Sequence, residues 1–153
     1  MLKIHHVGIV IESIENTVKL YESKFDCTKV TKVFEMNDLN DEIKFTFLKP
    51  SNNGIMIELI EPRRGIWKKR LDEEGTGSIC ELCFSVNDIG SFYDKMENSN
   101  IILEDMQGNP LNKENKKYIY SKATGDKFAY LPKKATQGTL IEIVEQCGTE
   151  VKW

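Results

Sequence analysis

The chain has 153 residues, of which 40% are hydrophobic and 29% charged, a composition typical of one folded domain with its own core. Its formal net charge of −3 argues against a nucleic-acid partner, which requires a concentrated basic surface. No apolar run is long enough to span a membrane, and the N-terminal residues lack the pattern of a signal peptide. We therefore expect a cytoplasmic protein with no membrane partner.

The first half of the chain predicts a strand, a helix and three further strands. The opening strand lies near residues 3–11, and Ser13 is an N-cap candidate for a helix near 14–25. This helix has apolar residues at helical spacing. Three strands follow the helix, near 28–35, 43–49 and 54–61.

The second half repeats the same pattern. The segments 4–14 and 79–89 correspond at an offset of 75 residues, and 54–61 and 138–145 correspond more closely at an offset of 84. The difference of nine residues indicates an insertion, which we place in the polar stretch 108–126. The elements predicted for this half are a helix near 89–99, after the N-cap candidate Asp88, and strands near 79–86, 101–106, 126–131 and 138–146.

This repeat predicts a single domain over residues 1–153, with modules 1–61 and 78–147 joined by a connector at 62–77. The connector is basic and allows two interpretations. One is a site for a CoA phosphate or a carboxylate substrate; the other is a solvated helical turn anchored by Trp67. We favour the second, because clusters of charge are usually solvated surface. The basic residues concerned are Arg63, Arg64, Lys68, Lys69 and Arg70.

The spacing Cys80-x-x-Cys83 suggests a zinc or redox site, but its context does not support one. The segment 79–86 is predicted as a strand, in which residues three apart point to opposite faces. The sequence has neither a second cysteine pair nor a Cys-His cluster. We expect buried thiols outside any disulfide, with Cys83 in a packing role.

Four side chains at repeat-related positions are candidate metal ligands. Glu58 and Glu142 each lie in a strand that is apolar on both faces, so their carboxylates are expected in a largely closed space. His6 and Glu81 occupy corresponding positions in the two opening strands. A buried carboxylate is costly unless it is paired, hydrogen-bonded or bound to a cation. One divalent ion would explain all four together.

Two alternatives remain open at this point. Each buried carboxylate can be satisfied separately by backbone amides, water or a distant arginine, and His6 can be a core residue. His5 competes with His6 as the histidine ligand. Because neighbouring residues on a strand face opposite sides, we expect only one of the two histidines to serve.

Several segments resemble the vicinal-oxygen-chelate superfamily (glyoxalase, bleomycin resistance and extradiol dioxygenase proteins), closest in look to methylmalonyl-CoA epimerase and glyoxalase I. The resemblance covers essentially the whole chain and implies an α+β fold, with two βαβββ modules pairing into a cupped, mixed eight-stranded sheet. It places the four metal ligands on His6, Glu58, Glu81 and Glu142. The matching segments are His6-Val7-Gly8-Ile9-Val10, helix 13–26, 57–62, 84–89, 130–133 and 138–143.

The chain departs from the epimerase pattern at two places. Glu81 stands where the epimerase has histidine, which gives one histidine and three carboxylates. Such a hard, anionic set favours Mg²⁺, Mn²⁺, Co²⁺ or Ni²⁺ over sulfur-preferring ions, although Zn²⁺ stays among the candidates. It also counts against an extradiol dioxygenase, which needs two histidines. In addition, the third strand offers Lys44, Phe45 and Thr46 where the epimerase has a catalytic glutamate.

The resemblance implies proton abstraction next to the carbonyl of a small carbonyl compound or acyl-CoA thioester. The divalent metal would stabilise the resulting enediolate or enolate. We expect Glu142 to be the base, with Glu58 as its mate on the other side of the substrate. The alternative function is a non-catalytic small-molecule-binding protein of the antibiotic-resistance type, without a metal. The resemblance also implies a homodimer.

Overall fold

The computed structural model describes residues 2–38, 40–52, 54–112 and 116–148, which fall into two compact units. The first unit comprises residues 6–80, and the second comprises residues 81–148 together with residues 2–5. The elements in chain order are β1 (Lys3–Val10), α1 (Ile14–Lys24), β2 (Cys27–Lys29), β3 (Phe34–Asp38), β4 (Asp41–Pro50), β5 (Met56–Arg64), α2 (Ile66–Glu74), β6 (Ser78–Ser85), α3 (Ile89–Glu97), β7 (Ile119–Tyr120), β8 (Lys127–Leu131) and β9 (Ile141–Glu145).

The sheet of the first unit has the strand order β2-β4-β5-β1, and β3 pairs with the same β4. Strands β1 and β5 are parallel, whereas β4 is antiparallel to β2, β3 and β5. Helix α1 covers one face of this sheet through a buried cluster. Burying these side chains removes apolar surface from water, which is what attaches the helix. The cluster consists of Ile11, Ile14, Cys27, Leu48 and Leu59.

The sheet of the second unit has the order β6-β9-β8-β7, with β6 parallel to β9 and the remaining pairs antiparallel. Helix α3 packs on one face, where Tyr93 also donates a hydrogen bond from its hydroxyl to the Leu111 carbonyl at 3.0 Å. The opposite face carries a separate apolar cluster. The helix-side cluster contains Ile89, Tyr93, Leu103, Leu111, Ala129 and Ile143, and the other contains Cys83, Phe128, Tyr130 and Val144.

Helices α1 and α3 begin in the same way, which confirms the predicted N-caps. The side chains of Ser13 and Asp88 accept hydrogen bonds from backbone N–H groups in the first turns of α1 and α3. In each unit a glutamate on the last strand accepts a further hydrogen bond from the first helical N–H, at 2.8 Å. These pairs are Glu61 with Ile14 and Glu145 with Ile89.

The predicted α+β class and its two βαβββ modules are confirmed, with the second strand of the first module split in two. The prediction of one strand near 28–35 was wrong, because the chain makes β2 and β3 with a break at Thr31. The Thr31 hydroxyl accepts a hydrogen bond from the Phe47 N–H at 3.1 Å and lies 3.0 Å from the Thr46 hydroxyl. A side chain thus replaces the backbone ladder at this point.

The prediction of a strand near 101–106 is also wrong. In this range Glu104 forms only isolated bridges, to Pro110 and Tyr130, and the strand that pairs with β8 on the side away from β9 is β7. The Asp105 carboxylate accepts hydrogen bonds from the N–H groups of Gln107 and Asn109, both at 2.9 Å. These bonds form a turn directly after Glu104, which ends the extended segment.

The connector contains the two-turn helix α2. Its Trp67 is only 3% exposed and anchors the helix. Asp41 accepts a hydrogen bond from the Ile66 N–H at 2.7 Å and thereby caps this helix. The solvated-helix interpretation fits this arrangement, because each basic residue of the helix pairs with an acidic residue one turn later. The pairs are Lys68–Asp72, Lys69–Glu73 and Arg70–Glu74. Among the helices of the described ranges, none is both long and apolar enough to cross a membrane.

Candidate metal centre

In the first unit, His6 and Glu58 form a buried pair. His6 Nε2 lies 3.1 Å from Glu58 Oε2, and the residues are 4% and 8% exposed. The parallel register aligns His6 with Met56 and Gly8 with Glu58, so both side chains project from the same face of the sheet. The predicted burial of Glu58 is therefore confirmed, and the imidazole is its polar neighbour.

A row of phenylalanine rings borders this pair. Phe47 lies directly opposite Glu58 in the β4–β5 ladder, and its ring centroid is 5.2 Å from that of His6 in an edge-on arrangement. Phe45 follows on the same face, with Phe34 stacked on it at 5.1 Å. Apolar walls lower the local dielectric constant, which strengthens any electrostatic interaction that the His6–Glu58 pair makes.

The structure also shows what the third-strand residues do. Phe45 shares the face of Glu58 and has no acid–base group. Lys44 and Thr46 point to the opposite face, where Lys44 Nζ lies 3.5 Å from Glu35 Oε1 and Thr46 is fully buried. None of these three residues replaces the glutamate that the family resemblance places on this strand.

In the second unit, Glu81 and Glu142 lie close together. Carboxylate oxygens of the two residues lie within 4.8 Å of each other, and Glu81 is 4% exposed whereas Glu142 is half-buried. Two ionised carboxylates this close repel each other, and a bound cation relieves that repulsion. The pair is therefore suited to holding a cation.

Two further residues border Glu142 on the same face. Cys83 is its in-register neighbour on β6, and Tyr130 is its neighbour on β8. Both are buried, at 0% and 4% exposure, and belong to the apolar cluster with Phe128 and Val144. The carboxylate of Glu142 thus projects beside one aromatic ring and one thiol.

Neither cysteine of the Cys80-x-x-Cys83 pair is in a disulfide, and both are buried, as predicted. What the sequence reasoning missed is the setting of His5. Its Nε2 lies 2.8 Å from Gln146 Nε2, and one of its ring nitrogens lies within 4.8 Å of Cys83 Sγ. One sequence pattern indicated the surroundings of Cys83: strand alternation places Cys83 on the same face as Glu81.

The donor chemistry of each unit fits a divalent ion. Imidazole nitrogen and carboxylate oxygen are donors that Mn²⁺, Co²⁺, Ni²⁺ and Zn²⁺ accept. His6 and Glu58 supply one of each at 3.1 Å, and Glu81 and Glu142 supply two carboxylates within 4.8 Å. That all four bind a single ion stays a prediction.

Comparison with known proteins places this chain in a family. Residues 5–120 match the model of the Glyoxalase/Bleomycin resistance protein/Dioxygenase superfamily. No curated protein matches the chain. Three solved structures with similar folds illustrate the relationship. Methylmalonyl-CoA epimerase from Mycobacterium tuberculosis has a TM-score of 0.75 at 20% identity, covering 94% of this chain and 87% of its own.

A hypothetical protein from Bacillus halodurans C-125 has a TM-score of 0.69 at 22% identity, with 99% of each chain covered. A methylmalonyl-CoA epimerase in complex with methylmalonyl-CoA and NH4+ has a TM-score of 0.70 at 18% identity, again with 99% of each chain covered. At these identities the solved structures establish the fold, and the family model covers most of the chain. The protein therefore belongs to the Glyoxalase/Bleomycin resistance protein/Dioxygenase superfamily.

Proposed function

We propose that this protein is a metal-dependent isomerase or lyase of the glyoxalase–epimerase type. It removes a proton next to the carbonyl of a small carbonyl compound or an acyl-CoA thioester. Its metal ligands are His6, Glu58, Glu81 and Glu142, two from each module. The observation that carries this proposal is the pair of carboxylates, Glu81 and Glu142, with oxygens within 4.8 Å in a half-closed setting that favours a cation.

The residues of the chain divide the work. A bound divalent ion supplies Lewis-acid stabilisation of the negative charge that develops on the substrate oxygen. Glu142 accepts the substrate proton at a carboxylate oxygen. It is the better base of the two candidates because it is half-buried, and so reachable, whereas Glu58 is 8% exposed and held 3.1 Å from His6. The ring of Phe47 lies beside Glu58 and limits the access of bulk water to that carboxylate.

This division bears on the stereochemistry of the reaction. Lys44 and Thr46 point away from the face of Glu58, and Phe45 has no acid–base group, so none of these three residues is a second base on that face. For a reaction that inverts configuration we therefore assign the second proton transfer to Glu58. A lyase or one-base isomerase needs Glu142 alone.

Metal content tests the proposal directly. The protein is purified without chelator, loaded with Mn²⁺, Co²⁺ or Ni²⁺, desalted and subjected to elemental analysis. We expect close to one divalent ion per chain. A protein that retains no ion after loading would overturn the proposal and favour the alternative, a metal-free small-molecule-binding protein.

The base is tested by hydrogen exchange. The loaded protein is incubated in D2O with methylmalonyl-CoA and, separately, with the glutathione hemithioacetal of methylglyoxal, and loss of the proton next to the carbonyl is followed by NMR. We expect exchange with at least one of them, abolished in Glu142→Gln but unchanged in the exposed control Glu12→Gln. Full exchange by a folded Glu142→Gln protein, checked by circular dichroism, would contradict the assignment.

A further inference from the structure

Glu104 extends the row of side chains that contains the proposed base. Its backbone N–H and carbonyl form hydrogen bonds with the backbone of Tyr130, at 2.8 and 2.9 Å. Tyr130 is in turn the in-register neighbour of Glu142. Residues directly opposite each other in neighbouring strands project from the same face of a sheet. Glu104, Tyr130 and Glu142 therefore stand side by side on one face of the second unit.

The packing of the residues around Glu104 supports this orientation. Leu103 is fully buried in the cluster beneath α3, on the other face of the sheet. Met106 packs against the apolar cluster that contains Tyr130. Because successive residues of an extended segment alternate between faces, Glu104 faces away from the helix. Neighbouring strands lie about 4.8 Å apart, so the backbones of Glu104 and Glu142 are separated by about 10 Å. A small substrate held at Glu142 spans that distance when it extends across Tyr130.

The carboxylate of Glu104 forms neither a hydrogen bond nor an ion pair with any other residue in the part of the chain that the structure describes. It differs in this respect from Glu145 on the opposite face, whose carboxylate accepts three hydrogen bonds. Glu104 is nevertheless half-buried, and burial together with the Asp105 carboxylate raises the pKa of its carboxyl above the ordinary value. Burying a carboxylate without a partner is costly, so folding does not explain this residue.

The first unit has no acidic residue at the corresponding place. Its row runs from Glu58 to Phe47, and the next strand breaks at Thr31, whose hydroxyl accepts a hydrogen bond from the Phe47 N–H. The duplicated scaffold therefore does not require a carboxylate here. A role in binding explains Glu104 better than a role in the architecture.

The charge on this face of the second unit determines what Glu104 can bind. Strands β6 to β9 contain one lysine, Lys127, which faces the other way and pairs with Glu145. All three arginines of the chain lie between residues 63 and 70, in the first unit. Proteins usually hold a substrate carboxylate with an arginine or a lysine. A carboxylate placed over Tyr130 would meet the like charges of Glu104 and Glu142 instead.

We propose that Glu104 contacts the substrate and selects it by charge. The part of the substrate that lies over Tyr130 carries a hydroxyl or another hydrogen-bond donor, which donates to Glu104, and it carries no carboxylate. This inference rests on the proposed function, because it places the reacting carbon at Glu142. It narrows the substrate class: a small hydroxylated carbonyl compound fits this face better than a thioester with a free carboxylate.

Metal-binding analogues of equal length test this selection without requiring turnover. A hydroxamate mimics the enediolate and chelates a divalent ion through two oxygens. Pentanohydroxamate, 4-hydroxybutanohydroxamate and succinic monohydroxamate end in a methyl, a hydroxyl and a carboxylate group, respectively. Each is titrated into Mn²⁺-loaded protein by calorimetry at mildly alkaline pH, so that the Glu104 carboxyl is ionised. We expect the hydroxyl compound to bind roughly tenfold more tightly than the carboxylate compound, or better.

A matched pair of variants assigns the selection to Glu104. Glu104→Gln removes the charge and keeps the shape of the side chain. We expect it to raise the affinity for succinic monohydroxamate roughly tenfold and to leave that for pentanohydroxamate unchanged. Glu12→Gln removes the same charge from an exposed residue of the first unit and should leave all three affinities unchanged.

The possible failures are distinguishable. Wild-type protein that binds the carboxylate compound as tightly as the hydroxyl compound overturns this inference and leaves the proposed function in place. A gain in carboxylate affinity that Glu12→Gln reproduces also overturns the inference alone. Absence of binding by all three hydroxamates overturns both proposals. If Glu104→Gln does not fold, as judged by circular dichroism, the order of the three affinities in the wild-type protein gives the decision.

Discussion

Glu145 Oε2 accepts a hydrogen bond from the backbone N–H of Ile89 at 2.8 Å, and this bond attaches the start of α3 to the strand β9. The other carboxylate oxygen accepts hydrogen bonds from Lys127 Nζ at 2.9 Å and from the Cys147 thiol at 3.1 Å. Burial alone would raise the pKa of Glu145, but the hydrogen bonds from these three groups outweigh it and hold the pKa below its ordinary value.

This lowered pKa predicts an acid-sensitive attachment. Because the pKa of Glu145 is lower in the folded than in the unfolded state, its stabilisation is present above the unfolded pKa and is lost as pH falls through the folded pKa. We expect Glu145→Gln to lower the free energy of unfolding by about 2 kcal/mol at neutral pH. Urea denaturation at stepwise lower pH should show this difference shrinking below the ordinary pKa of 4.5. A difference that stays constant with pH would contradict the explanation.

The backbone at Gly65, at the start of α2, leaves no room for a side chain. Its φ is +94°, and a Cβ atom there would lie 1.9 Å from Asp41 Oδ1, the atom that caps the helix. We expect Gly65→Ala to destabilise the protein by more than the roughly 1 kcal/mol that left-handed strain alone costs. Gly77→Ala is the matched control, since Gly77 has a φ of +89° and nothing within 4 Å of the added Cβ. Equal losses of unfolding free energy would show that the clash is unimportant.

The hydrogen bond of Tyr93 to Leu111 anchors the polar insertion, and its contribution to stability can be measured. Its hydroxyl donates to the Leu111 carbonyl at 3.0 Å in a buried setting. Tyr93→Phe leaves that carbonyl without its donor, which should cost about 1–2 kcal/mol of unfolding free energy. Tyr120→Phe, at a residue that is 57% exposed, should change stability by less than about 0.5 kcal/mol. Native-state hydrogen exchange near Leu111 should rise in the first variant alone; unchanged exchange there would count against the anchor.

Glu81→Gln predicts opposite effects with and without metal. In metal-free protein the substitution removes the charge repulsion with Glu142, so we expect the unfolding free energy to rise by roughly 1–2 kcal/mol. With Mn²⁺ or Co²⁺ present, we expect the increase in Tm caused by the ion to be smaller than in wild type, because ligand-linked stabilisation follows affinity. Thermal unfolding in chelator and in excess ion measures both effects. A variant less stable than wild type in chelator would argue against an anionic pair.

Much of the scaffold could be predicted from the repeat. Ser13 and Asp88 marked the helix starts, because an N-cap residue acts locally and leaves a readable signal. The helix α2 was harder to place, since its residues are mostly charged and carry little apolar periodicity around Trp67. The break at Thr31 depends on a hydroxyl meeting Thr46 fifteen residues away, a tertiary contact that no local pattern reveals.

The candidate site was predictable in part for similar reasons. The burial of Glu58 followed from a strand that is apolar on both sides, and the structure confirms it, whereas Glu142, predicted in the same way, is half-buried. The contact of His5 with Gln146 joins residues 141 positions apart, which strand alternation within β1 cannot reveal. The polar segment after Glu104 was wrongly predicted as a strand because the turn at Asp105 depends on side-chain hydrogen bonds.

On β9, neighbouring positions serve different purposes. Glu142 projects toward the thiol and the phenol ring, while Ile143 and Glu145 attach the helix on the reverse side. Substitutions on the Glu142 face can therefore change the polar groups there, while residues on the reverse face keep the helix attached. The neighbouring strands of the duplicated scaffold differ by single residues in the same way, since Gly8 of β1 and Cys83 of β6 occupy corresponding positions with different side chains.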